Sequence, residues 1–177
     1  MRRPDLRWLA PLIANVVLLQ LGALANHHLA PLGLTLFLGG LLVTYAAARL
    51  DLRHGLAGTL FTGLLFDAVN PVPYGLGTFF FGLAHVLIFQ GRQRFPRDEP
   101  VFFTVVALLA NLFLFLCLSF ALVGLNPRPA AAWGRLFVDL IFSQLTLALV
   151  ASWFFALQNA LIEFTGRHPE TGRPLPR

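Results

Sequence analysis

The chain has 177 residues, of which 57% are hydrophobic and only 12% charged. A soluble domain carries roughly a quarter charged residues, so this composition leaves too little polar surface to face water and excludes an ordinary soluble all-helical domain. The formal net charge is +5 and all thirteen basic residues are Arg. They sit between apolar runs, where they read as topology signals and not as the footprint of a nucleic-acid partner.

A helix crossing about 30 Å of hydrocarbon needs ~20 predominantly apolar residues, with shorter spans tolerated. Six segments qualify. The first is Trp8–Ala25. It follows a basic start, like a signal peptide, but Pro11, Asn15 and Gln20 interrupt it and no small-residue cleavage site follows, so it reads as a retained helix. A polar turn, Asn26-His27-His28, leads through Pro31 to the second segment, Leu32–Ala48. The basic loop Arg49–His54 precedes a short third segment, Gly55–Val69. Asn70-Pro71-Val72-Pro73 must be a tight turn, because two prolines at this spacing cannot continue a helix. The fourth segment is Gly75–Gln90, and the loop Gly91–Pro100 carries Arg92, Arg94 and Arg97. The fifth is Val101–Leu125, followed by a Pro- and Ala-rich link, Asn126–Arg135. The sixth, Leu136–Ile162, is longer than a crossing requires and is expected to tilt or emerge. Residues 1–162 thus form a single six-helix transmembrane domain, and 163–177 are expected to be a disordered cytoplasmic tail.

Counting charges gives the orientation. With the N-terminus inside, eleven Arg fall on the inner side and two, Arg128 and Arg135, on the outer. That bias places both termini in the cytoplasm.

Ionisable groups within the spans are functional suspects because they are costly there. Asp67 ends the third segment, and Gly63, Thr59 and Gly55 precede it at four-residue steps along one face. Small residues at that spacing let another backbone approach closely. Asp67 would then organise the turn or receive a cation, or it would cap backbone N–H groups between Asn70 and Gly75. Asp139 stands four residues after Arg135, the spacing of a helical ion pair. It could also approach Asp67 at one level. His85 is mid-span in the fourth segment; with Asn111 it is a candidate for a polar cavity, and the blander alternative is a hydrogen bond to a neighbouring helix. Asn15, Gln20, Asn111, Gln144 and Asn159 read as interhelical hydrogen-bond partners. The pair His27-His28 lacks further ligands, so no metal site is expected. The sequence carries no nucleophile–base motif, P-loop or dinucleotide fingerprint. It therefore reads as no enzyme and implies no cofactor. The single cysteine, Cys117, reads as a packed free thiol.

The stretch Gly63-Leu64-Leu65-Phe66-Asp67-Ala68-Val69-Asn70-Pro71-Val72-Pro73-Tyr74-Gly75 resembles the signature of the MreD family of rod-shape-determining proteins. That family shows a small-residue helix ending in Asp, then Pro and Gly six and eight residues later; Asp67, Pro73 and Gly75 stand at those offsets. The turn is richer in proline than in the family, and Tyr74 replaces an aliphatic residue. The resemblance implies an all-α six-helix bundle like the substrate-binding subunits of energy-coupling-factor transporters, in the bacterial inner membrane. It also implies a non-catalytic scaffold of the elongation complex, supporting cell shape and peptidoglycan synthesis by binding an MreC-like protein and, through it, the MreB filament and peptidoglycan synthases. Asp67, Pro73, Gly75 and Gly63 would shape the hairpin or meet a partner. The alternative is a vitamin-binding subunit of such a transporter, which would need a pocket lined by polar and aromatic groups; His85, Asn111 and Trp133 are the candidates.

Overall fold

A computed structural model of the chain describes residues 8–92, 100–123 and 129–164. The basic stretch 93–99 and the tail from 165 lie outside the described residues. Those described form six α-helices and no strand: α1 (Leu9–Leu29), α2 (Gly39–Arg49), α3 (Leu52–Val69), α4 (Leu76–Gly91), α5 (Pro100–Val123) and α6 (Pro129–Phe164), with a single 3-10 turn at Ala30–Leu32. Three stretches, Leu9–Leu32, Val101–Val123 and Ala132–Glu163, are long and apolar enough to cross a membrane, and α4 is a shorter apolar helix. The chain is an all-α membrane protein by that measure.

The helices pack as a ring around a centre. α1 touches α3, α3 touches α4, α4 touches α5, α5 touches α6, and α6 returns to α1, while α2 contacts all five. Every residue from Gly39 to Ala47 in α2 is buried. Outward faces are apolar instead of polar, with Ile13, Val17, Leu109, Leu145 and Leu149 exposed. That is how a lipid-solvated bundle differs from a soluble one. The centre is reached at close range because of Gly40: a Cβ there would collide with the Ala107 carbonyl oxygen and lie 2.7 Å from Asn111 Cβ. Overpacking of that kind typically costs about 1–3 kcal/mol.

Several boundaries differ from the sequence reading. α1 continues through Asn26, His27 and His28, so these residues form its last turns and no separate loop. α6 starts at Pro129 and α5 at Pro100. Proline is suited to a first helical position, since its missing N–H would be unpaired there anyway; the prolines open these helices where the sequence reading made them linkers. α3 starts at Leu52, because the Asp51 side chain caps it by accepting from the His54 backbone N–H at 3.4 Å. The largest departure is the second segment. Expected as a span from Leu32, it is helical only over eleven residues, about 16 Å at 1.5 Å per residue, and residues 34–38 are non-helical.

Candidate functional site

The bundle alternates up and down, so one end collects the α1–α2 link, the α3–α4 turn and the ends of α5 and α6 that face each other. Two polar assemblies and a cleft lie there.

The first assembly is the α3–α4 hairpin. α3 and α4 share the small face read from the sequence: a Cβ on Gly63 would come within 2.6 Å of Thr78 Cα, and one on Gly55 within 2.8 Å of the His85 ring. Asp67, at the last turn of α3, is buried. Its Oδ2 accepts from Gly75 N at 3.0 Å, Thr78 N at 3.0 Å and Thr78 Oγ1 at 2.8 Å, and its Oδ1 accepts from Gly77 N at 2.8 Å. These are the donors that a helix leaves unpaired in its first turn, and the carboxylate complements the positive end of the helix dipole. Asp67 therefore caps: the Gly75 bond falls within the span 70–75 expected from the sequence, and the Gly77 and Thr78 bonds extend the cap into the first turn of α4. Gly75 occupies the left-handed region at φ 94°, which a side chain would strain. Gly77 is fixed by space, since a Cβ there would meet Asp67 Oδ1. Pro73 accepts from Leu76 N at 3.1 Å and closes the turn.

The second assembly holds the unwound stretch before α2. Its peptide groups find partners on other helices. Thr35 N donates to Asp139 Oδ1 at 2.9 Å and Phe37 N to Ser143 Oγ at 3.0 Å, and in the first turn of α2 that follows, Gly40 N donates to Asn111 Oδ1 at 3.0 Å. Asn26 holds both groups of Leu36, accepting from its N at 2.6 Å and donating to its carbonyl at 3.0 Å. Irregular backbone survives in a membrane bundle only when its polar groups are paired in this manner.

His85 and Asn111, the candidates for a polar cavity, do not line the cleft. His85 is fully buried with Nδ1 2.8 Å from Thr59 Oγ1, between α3 and α4. Asn111 serves Gly40, between α5 and α2. Both take the blander role, a bond to a neighbouring helix. Deeper in the core, Asn15 donates to the Leu42 carbonyl at 2.8 Å and to Thr62 Oγ1 at 3.1 Å, and accepts from Gln158 at 3.2 Å. Gln144 donates to Leu108 O at 3.1 Å, and Tyr45 donates to Asn159 at 2.7 Å. Gln20 is exposed and takes no such part. Asn26, Ser143 and Gln158 carry structural bonds that the sequence reading missed. Their only signal was polarity at an otherwise apolar helix face.

The cleft has a volume of about 760 Å³ and opens between the unwound stretch, the turn 70–72, α5 and α6. Phe37, Phe66 and Phe115 form much of its wall, with Phe37 5.8 Å from Phe66 and 5.9 Å from Phe115 between ring centres. Thr35, Asn70, Ser119, Arg135 and Asp139 supply its polar lining. Asp139 is buried while Arg135 is largely exposed, and the pair stands at 3.9 Å from Arg135 Nε to Asp139 Oδ2. The i,i+4 pair read from the sequence is thus present but loose, and Asp139 has the additional bond to Thr35. Neither Asp67 nor Trp133 lines the cleft; Trp133 packs on Phe120 at 4.9 Å.

No family model, no curated protein and no solved structure matches this chain.

Proposed function

We propose that this protein is a non-catalytic membrane scaffold of the MreD kind. In this reading all six helices lie in the bacterial inner membrane with both termini in the cytoplasm. The bundle supports an MreC-like protein and, through it, the MreB filament and peptidoglycan synthases. The observation that carries the reading is the use made of the Asp67 signature: all four of its hydrogen bonds go to Gly75, Gly77 and Thr78. The residues at the family-like offsets are consumed in making a rigid hairpin, as a presenting scaffold requires, and none is held ready for chemistry.

The test is affinity capture of the tagged chain, at native expression level, from gently solubilised membranes. Recovery of an MreC-like protein with the elongation synthase is expected, and Asp67→Ala should lose it. The cleft favours a second reading, a vitamin-binding subunit of an energy-coupling-factor transporter. Recovery of a coupling subunit and its ATPases, without MreC, would replace the scaffold by that assembly.

A further inference from the structure

The cleft at the α5–α6 end is more than a packing gap, because one of its walls holds a buried carboxylate. Asp139 is 3% exposed. Its Oδ1 is taken by the Thr35 backbone N–H at 2.9 Å. Its Oδ2 has Arg135 Nε at 3.9 Å, outside hydrogen-bond distance. The Arg135 side chain is 61% exposed, so it is free to swing toward water. A carboxylate oxygen on the wall of a mostly apolar chamber, whose nearest cation among the described residues is distant and displaceable, is under-satisfied. Phe37, Phe66 and Phe115 line the same cleft, and aromatic ring faces attract cations.

We propose that this cleft is a binding site for a small hydrophobic organic cation. Its ammonium group would donate to Asp139 Oδ2 in place of Arg135, and its apolar body would lie among Phe37, Phe66 and Phe115. The volume, about 760 Å³, lies within the range of sites for drug-sized ligands, ~300–1,000 Å³. The choice of a cation over an anion follows from depth. The negative group is buried in the wall, whereas the positive one is at the solvent side, where it is hydrated and weak. The inference concerns the chemistry of the cleft alone and stands whichever assembly captures the chain.

The test uses the full chain in lipid nanodiscs, with tryptamine as the probe and its neutral analogue tryptophol as the control, titrated by calorimetry against empty nanodiscs. Tryptamine is expected to bind saturably at one site per chain, at least tenfold tighter than tryptophol. Asp139→Asn keeps an acceptor for Thr35 N and should weaken tryptamine at least tenfold while leaving tryptophol unchanged. Arg135→Gln removes the competitor and should tighten tryptamine severalfold. Ser119→Phe fills the chamber without touching the Asp139–Thr35 bond and should abolish binding in a chain that remains monodisperse. Heat no greater than that of empty nanodiscs, undiminished affinity in Asp139→Asn, or weaker binding in Arg135→Gln would each overturn the proposal.

Discussion

The α3–α4 turn and the unwound stretch before α2 solve one physical problem in opposite ways. Each leaves backbone N–H groups without a helical partner in surroundings poor in water, where an unmet donor costs roughly 1–3 kcal/mol. At the turn, a single side chain eight to eleven residues away in sequence, Asp67, serves three backbone donors and a hydroxyl. In the unwound stretch, three side chains from two helices, Asn26, Asp139 and Ser143, each serve one N–H, at separations up to 106 residues, and Asn111 serves Gly40 in the first turn of α2 that follows. The first solution is local and concentrated. The second is distributed and depends on the whole bundle being assembled. Concentration makes a region sensitive to one substitution, and distribution spreads the same dependence over several.

That contrast predicts the largest effect at Asp67. Asp67→Ala removes the acceptor of three N–H groups at once, leaving the start of α4 unpaired. The expected loss is about 3 kcal/mol or more, given ~1.5–3 kcal/mol for a single hydrogen bond to a charged group. Unfolding in detergent can be followed with a thiol-reactive dye at Cys117, the only cysteine. A melting temperature within a degree or two of wild type would show that the turn is held by its prolines instead.

How much of each region was legible in the sequence follows from the same difference. The hairpin could be read because its parts are neighbours: two prolines that stop a helix, an Asp at the last turn, and Gly63, Thr59 and Gly55 on one face. The close approach of α3 to α4 follows from those small residues. The unwound stretch could not be read. Leu34-Thr35-Leu36-Phe37-Leu38 is apolar and passes for helix in any hydropathy window. Its partners lie on α1 and α6, and nothing local marks Ser143 or Asn26 as their match. Asp139 misled for a related reason. The i,i+4 spacing to Arg135 offered a sufficient local explanation, while the shorter bond goes 104 residues away to Thr35. The helix starts at Pro100 and Pro129 were misjudged because proline ends one helix and opens another with equal ease.

A middle-sized effect sharpens the contrast from the distributed side. Asn26→Ala strips both backbone groups of Leu36 of their partners, yet Asp139 and Ser143 remain to hold the stretch. The expected loss is about 1–2 kcal/mol, smaller than at Asp67 although two bonds are lost. The double variant Asn26→Ala with Ser143→Ala should lose more than the sum of the single ones, because the bonds hold adjacent residues of one stretch. Strict additivity, measured by the same Cys117 melt, would mean that each peptide is held independently and that the stretch is not a unit.

The smallest effect uses Asp51 as the water-exposed counterpart of Asp67. Both are carboxylates that cap the start of a helix, but Asp51 is largely exposed, with a side chain 58% accessible, and caps α3 through the His54 backbone N–H at 3.4 Å. Its remaining partner is the His54 ring, whose Nδ1–H donates to the two oxygens at 2.8 and 2.9 Å. Partial burial works against the charged form of Asp51. The hydrogen bonds from the His54 ring and backbone and the charge of His54 outweigh it, and the carboxyl is held below its ordinary pKa. A carboxyl lowered on folding stabilises the native chain above the ordinary carboxylate range, and that contribution fades as the pH falls through the lowered value. Asp51→Ala should therefore cost only about 0.5–1 kcal/mol at neutral pH, the low end for a lost N-cap in view of its exposure. The gap to wild type should close in acid, below the ordinary carboxylate range. Melting curves of both chains across that range check the sign. If the gap stays constant down to the most acid point at which wild type folds, the cap acts through backbone geometry and not through charge. The difference between Asp51 and Asp67 would then measure hydrogen-bond count alone, without a contribution from the medium around each carboxylate.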